Sequence, residues 1–263
     1  MLTYPEIDPV LISLGPLHIR WYSLAYLVGI TLPFWVFRHA FRNVFKFSLD
    51  DCMNYVSYLI IGTIIGGRLG YVLFYDFGDF LRDPLMIVAI WQGGMSYHGG
   101  ALGCIGSTIL FARHMKVNVL ALLDILAIGS TIGIFLGRIA NFINGELYGR
   151  VTTSMFGMVF PGAGPLPRHP SQLYEAFCEG VLLFLLLWAI RRWMKPKPGI
   201  VGGCYLIFYG GMRFVLEFFR EPDAHIGFVV QRFSLGQVLC FVEVCVGVMV
   251  VLWIRGVVRF KLR

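Results

Sequence analysis

Charge is what this 263-residue chain has least of. Charged side chains make up 14% of it and hydrophobic ones 57%, whereas a soluble domain carries about 25% charged residues. That balance excludes a soluble enzyme and a disordered chain. Cysteine is sparse: the six present (Cys52, Cys104, Cys178, Cys204, Cys240 and Cys245) show no CxxC spacing. All but Cys52 sit inside apolar runs, which suits packing thiols rather than a disulfide scaffold. No HExxH or histidine–cysteine cluster occurs, so no metal or other cofactor is expected. A GxSxG elbow, a Walker-type glycine loop and a fixed-period repeat are missing as well. The last absence weighs against a transporter built from inverted repeats. The opening MLTYPEIDPV lacks the basic n-region of a cleaved signal peptide.

What is present is a series of apolar runs, each near the roughly 20 residues that a bilayer crossing needs. They cover 21–37, 55–74, 85–112, 119–137, 171–190, 199–219 and 235–254. The net charge of +7 is distributed as a topology signal rather than as a nucleic-acid surface, so no nucleic-acid partner is expected. Connections 38–50, 113–118, 191–198 and 255–263 hold 13 Lys/Arg in 36 residues, whereas 1–20, 76–84, 139–170 and 220–234 hold six in 76. The first set belongs on the cytoplasmic side. The expected fold is therefore an all-α polytopic membrane protein of about seven transmembrane helices, N-terminus extracytoplasmic and C-terminus cytoplasmic. Residues 1–263 form a single membrane-embedded domain in this reading. Residues 1–20 make an interfacial segment, with aromatics at headgroup level. Residues 139–170 make a small extracytoplasmic head, in which MFGMVF followed by Pro-Gly reads as a short strand and turn. Such a head either recognises or gates a substrate arriving from outside, or simply connects two spans.

Polar residues inside an apolar layer are costly and mark function or ion pairing. His98 lies in Gly93-Gly94-Met95-Ser96-Tyr97-His98-Gly99-Gly100. Its flanking glycines clear space, and an imidazole exchanges protons near neutral pH; packing is the alternative reading. In Gly137-Arg138-Ile139-Ala140-Asn141, a helix puts Arg138 and Asn141 on one face. A guanidinium fork beside a carboxamide suits a phosphate. Glu146 either orients Arg138 or caps the local turn. Tyr209, Arg213, Glu217 and Arg220 share a helical stripe, read either as an ion-pair ladder or as a second phosphate ligand, Arg213, held by Glu217. Arg68, within the glycine series 62, 66, 67 and 70, is expected to pair with a buried acid, Asp124 being the candidate. Glu175, Glu179 and Glu243 read as structural partners.

The stretch from Gly137 through Arg138, Asn141, Asn144, Gly145 and Glu146 to Gly149 resembles the signature of the bacterial prolipoprotein diacylglyceryl transferases. GGMSYHGG at 93–100, RHPSQLYE at 168–175, YGGMRFVLEFFREPDA at 209–224, GGRLGYVLFY at 66–75 and RWYSLAYLVG at 20–29 agree in collinear order over nearly the whole chain. The link from Phe160-Pro161-Gly162 to Leu166-Pro167-Arg168 is shorter than in family members that carry an insertion there. The resemblance implies a multi-pass enzyme of the bacterial cytoplasmic (inner) membrane, with phosphatidylglycerol, preprolipoprotein signal peptides bearing a lipobox cysteine, and membrane lipids as its partners. It implies transfer of a diacylglyceryl group to that cysteine thiol, forming a thioether and releasing glycerol phosphate. By motif position His98, Arg138 and Arg213 are the expected catalytic residues, with Tyr22, Asn141, Glu146, Gly149 and Tyr209 binding substrate alongside Arg138. An anionic-lipid transporter or scramblase is the alternative that the same arginines allow. Because the nucleophile belongs to the substrate, a variant with all six cysteines replaced by alanine should keep appreciable turnover; complete loss in folded protein would contradict this.

Overall fold

The structure, a computed structural model, describes residues 2–15, 17–221, 228–230 and 233–257. Parts of several stretches named from the sequence fall outside them, including the last three residues of the 209–224 block, residues 222–227 and 231–232 of the 220–234 connection, and residues 258–263 of the 255–263 connection. The described chain is predominantly helical and falls into two compact units, residues 1–35 with 124–263, and residues 36–123.

The first unit begins with a hairpin of β1 (Val10–Leu14) and β2 (Leu17–Arg20). Apolar residues alternate along β2 and fill all of β1 but Ser13, and Gly15 at φ +60° turns the chain between them. The sequence reading of 1–20 as an interfacial segment did not foresee this pairing. Helix α1 (Trp21–Val36) follows. It meets α5 (Val119–Ile143), which begins in the other unit, where Gly29 and Gly133 let the backbones approach: a Cβ on Gly29 would lie 2.9 Å from the Gly133 Cα. Helix α6 (Ser171–Met194) carries a π-helical stretch at Ala176–Leu182. Helix α7 (Ile200–Leu216) is started by Asp124, which accepts the Gly199 and Gly202 N–H groups at 2.8 and 2.7 Å. Strands β3 (Phe228–Val230) and β4 (Phe233–Ser234) lead to α8 (Leu235–Ile254), opened by a capping box between Ser234 and Gln237.

Between α5 and α6 the head has a core of Phe142, Met158 and Phe160, with Tyr4 and Tyr148 packed against it. The Tyr4 hydroxyl donates to the carbonyls of Phe142 at 2.8 Å and Ile143 at 3.1 Å, covering the end of α5. The strand expected at MFGMVF is not formed; Met158 makes isolated bridges with Leu2 and Arg168 instead. Met158 and Arg168 exchange N–H···O bonds at 2.9 and 2.8 Å and the Leu2 N–H donates to the Gly157 carbonyl at 3.0 Å, so single bridges satisfy the backbone here. The turn at 161–163 is present.

In the second unit α2 (Leu49–Tyr75) packs on α4 (Tyr97–His114), with the short α3 (Phe77–Arg82) between them in sequence. The glycine series of α2 is the packing face, meeting Gly99 and Gly103. The Tyr55 hydroxyl hydrogen-bonds Thr108 Oγ1 at 2.9 Å, and the Tyr55 ring stacks on Phe111 at 4.8 Å. The run expected to span from residue 85 is helical in this form only from Tyr97. Short 3-10 turns at Pro84–Val88 and Ile90–Gln92 precede it. Gly93 and Gly94, at φ +83° and +77°, break the backbone, and Ser96 caps the new helix by accepting the Gly99 N–H at 3.2 Å. Arg68 is not paired with Asp124. It donates to the carbonyls of Met86, Ile87, Gly93 and Gly94, filling its donor fork with the very groups those turns leave open.

Four helices among the described residues are long and apolar enough to cross a membrane: α2, α5, α6 and α8. α1 and α7 are shorter apolar helices. Large apolar side chains such as Trp35, Phe74, Trp193 and Phe241 stand exposed along these elements, as expected of surfaces that face hydrocarbon.

A Cβ on Gly103 would lie 2.7 Å from the Gly62 carbonyl carbon, whereas Gly106 meets nothing within 4 Å. Gly103→Val should therefore destabilise the protein by about 1–3 kcal/mol, and Gly106→Ala should not. Thermal unfolding in detergent checks the contrast.

Candidate functional site

A cluster of three arginines and three glutamates lies within the first unit. α5 presents Arg138 near its end, α6 presents Glu175 and Glu179, and α7 with the turn after it presents Arg213, Glu217 and Arg220. Glu175 is fully buried and bridges the arginines. Arg138 Nε lies 2.8 Å from its Oε2, while Arg213 Nη1 lies 2.6 Å and Arg220 Nη1 3.7 Å from its Oε1. Arg213 Nη2 also holds Glu217 Oε2 at 2.8 Å, and Glu217 Oε1 accepts from the Ser234 hydroxyl at 3.1 Å.

The ladder read along the 209–220 stripe is thus formed at its first rung only. Arg220 turns to Glu175, because a carboxylate without water draws every cation within reach. Glu175 and Glu179, read from the sequence as structural partners, are the counter-ions of the two arginines expected to hold phosphate. That clamp is therefore already filled with carboxylates. The arginine side chains keep 14–17% exposure while those of Glu175 and Glu179 keep none, so of the paired groups the acids are the more deeply buried. Glu179 sits in the π-helical stretch of α6, a distortion often found at functional sites.

Helix α5 continues through Asn141, so Arg138 and Asn141 do share a face. Asn141 is buried and donates to Glu146 Oε1 at 2.9 Å, and Asn144 donates to the same oxygen at 3.3 Å. Of the two readings of Glu146, the structure realises the turn: the carboxylate ties the end of α5 together. Gln172 Nε2 donates to the Glu146 carbonyl at 2.6 Å and Ser171 Oγ to the Leu147 carbonyl at 3.0 Å, so the SQ pair of RHPSQLYE pins the signature loop. Gly149 is crossed by two segments: its N–H donates to the His169 carbonyl at 2.8 Å, and it bridges Arg220. Arg150 Nε donates to the Arg220 carbonyl at 2.8 Å, and Arg168 Nη1 lies 2.9 Å from Glu221 Oε2. Partial burial beside Tyr174 and Phe219 holds the His169 imidazole below its ordinary range.

Tyr209 is buried on α7 beside Tyr205, within electrostatic reach of Glu179, Arg213 and Arg138. Tyr22 packs against Tyr26 at 5.2 Å. Tyr26, absent from the sequence reading, lies within electrostatic reach of Glu146 and Arg138. Its RWYSLAY context was the only signal for it. His98 belongs to the second unit, where it is exposed in the first turn of α4. Among the described residues no group of three or more His, Cys, Asp or Glu could hold a metal ion.

The family model described as prolipoprotein diacylglyceryl transferase matches residues 9–253. The chain belongs to that family. Among the transferases it resembles, the phosphatidylglycerol–prolipoprotein diacylglyceryl transferase of Pseudoalteromonas atlantica is 50% identical over 258 residues, covering 95% of this chain and 90% of the relative. That of Oleidesulfovibrio alaskensis is 48% identical over 95% of this chain and 94% of its own, and that of Rickettsia felis 48% identical over 90% and 93%. The match spans both compact units, so the arginine–glutamate cluster and the His98 segment both lie within the transferase family's extent.

Glu175 neutralises guanidinium groups on two other helical segments. Glu175→Gln should leave them uncompensated and cost roughly 3–5 kcal/mol, read as a large drop in the thermal midpoint. A midpoint unchanged from wild type would contradict the bridging role.

Proposed function

We propose that this protein transfers the diacylglyceryl group of phosphatidylglycerol to the lipobox cysteine of preprolipoproteins, the first step of lipoprotein maturation. Family membership at about half identity over nearly the full chain supports the activity. The observation that carries the site is the pair Arg138 and Arg213, both drawn to the one carboxylate of Glu175.

The chemistry follows from what such a transfer requires. A substrate thiol with a pKa near 8.5 is a poor nucleophile until deprotonated. His98, carried by the second unit, is assigned the base's role on its chemistry alone. The thiolate attacks the glycerol carbon esterified to phosphate, a C–S bond forms, and the C–O bond breaks. The bonding pair leaves on the phosphate oxygen, while the thiol proton stays on the imidazole. Charge then grows on glycerol phosphate, where guanidinium donors in a site poor in water have their greatest effect. Tyr22, Asn141, Glu146, Gly149 and Tyr209 shape the headgroup site in this reading, Asn141 and Glu146 through the loop they brace.

The runs of the sequence reading would give seven crossings, with α1 and α7 completing the four long helices and the Tyr97–His114 helix supplying the seventh. The charge distribution favours the head outside and the C-terminus inside, and family membership supports the cytoplasmic membrane of a bacterium as the location. The hairpin at 10–20 would then lie at the outer interface.

Purified protein, phosphatidylglycerol and a lipobox peptide should yield a mass gain on the peptide cysteine and released glycerol phosphate. Lipid movement between leaflets without either product would favour the scramblase instead. Arg138→Lys and Arg213→Lys keep charge but lose the fork, and each should reduce kcat/KM on the order of 10²-fold. Near wild-type transfer in both would remove the clamp.

A further inference from the structure

The ion pairs of the cluster balance in formal charge before any lipid arrives. Three guanidinium charges (Arg138, Arg213, Arg220) stand against three carboxylates (Glu175, Glu179, Glu217). A phosphodiester headgroup brings one more negative charge into a region where unbalanced charge is heavily penalised. Something must then lose a negative charge or leave.

The three carboxylates are not held equally. Glu175 has guanidinium contacts at 2.6 and 2.8 Å, and Glu217 has one at 2.8 Å plus the Ser234 hydroxyl. Glu179 is fully buried, yet its closest contacts, to Arg138 Nη2 and Arg213 Nη1, are both 3.5 Å. Oε2 of both Glu175 and Glu179 has no hydrogen-bond partner among the described residues, so it is the longer guanidinium distances that set Glu179 apart. Within its electrostatic reach are Arg138 from α5, Arg213 and Tyr209 from α7, Glu175 and Cys178 from its own helix, and Glu243 and Cys240 from α8. Two of those neighbours are acids. Glu179 is thus the carboxylate whose charge is least rewarded once another anion takes up Arg138 and Arg213.

Resting on the transferase reading above, we propose that Glu179 is the exchangeable counter-ion of the site: as the headgroup phosphate of phosphatidylglycerol settles on Arg138 and Arg213, Glu179 takes up one proton from water. The guanidinium groups pass from carboxylate to phosphate, the cluster with its lipid stays neutral, and no arginine has to leave its position. When glycerol phosphate departs, Glu179 releases the proton and again closes the pair. Glu179 is a positioning residue in this scheme; it does not touch the reacting carbon.

The test is calorimetric titration of the purified protein with short-chain phosphatidylglycerol, without peptide, in buffers of different ionisation enthalpy. Wild type should take up about one proton per lipid bound, and its dissociation constant should rise with pH by at most about tenfold per unit. Glu179→Gln, which cannot be charged, should bind with no proton uptake and no pH slope, at least as tightly as wild type at low pH. Wild-type binding without proton uptake overturns the proposal and leaves the transferase reading standing. The same uptake in Glu179→Gln assigns the proton elsewhere and also overturns it. A wild type that neither binds the lipid nor transfers its diacylglyceryl group sinks both readings. The wild-type proton count needs no variant, so a misfolded Glu179→Gln does not spare the proposal.

Discussion

A carboxylate sealed from solvent must have its charge matched by neighbours, and in this protein that requirement falls on Glu175. Three arginines from α5 and the end of α7 converge on it. Because an unmatched buried charge costs several kcal/mol, the helix ends are bound to one another by electrostatics where apolar packing offers little directional preference. In hydrocarbon this matters more than in water, since lipid tails compete with side chains for every apolar contact. The cluster is therefore at once the brace of the first unit and the candidate phosphate site.

The same economy of charge explains the arrangement around the signature loop. Glu146 accepts from two asparagine side chains, its carbonyl accepts from Gln172, and the Leu147 carbonyl accepts from Ser171. The end of α5, which would otherwise leave carbonyls without partners, is covered by Tyr4 from the start of the chain. The loop carrying Asn141 to Gly149 is thus fastened from two directions. The head is further tied to the 219–221 segment through Gly149, Arg150 and Arg168, so that strand-like crossing and site share the same backbone.

The second unit solves a comparable problem by different means. Glycines on α2 and α4 bring two backbones together, and Arg68 satisfies the carbonyls that the 3-10 turns before α4 expose. In both units arginine is the tool, matched to carboxylates in one and to peptide oxygens in the other. Its flat fork of five donors can serve several acceptors at once, which a lysine cannot.

How much of this was legible without coordinates divides along a physical line. Membrane class, the apolar runs and the signature residues are local properties of the chain, set by hydropathy over some twenty residues and by short polar motifs, so sequence alone determined them. The helical continuity that puts Arg138 beside Asn141 is local too. Partnership between buried charges is not, because any of several acids satisfies an arginine equally well on paper. Only the tertiary structure decided that Arg68 turns to carbonyls, that Arg220 reaches Glu175 past Glu217, and that Glu179 holds its cations at the edge of contact. Those choices depend on distances of a few ångströms between segments far apart in the chain, and no pattern of residues along it encodes them singly.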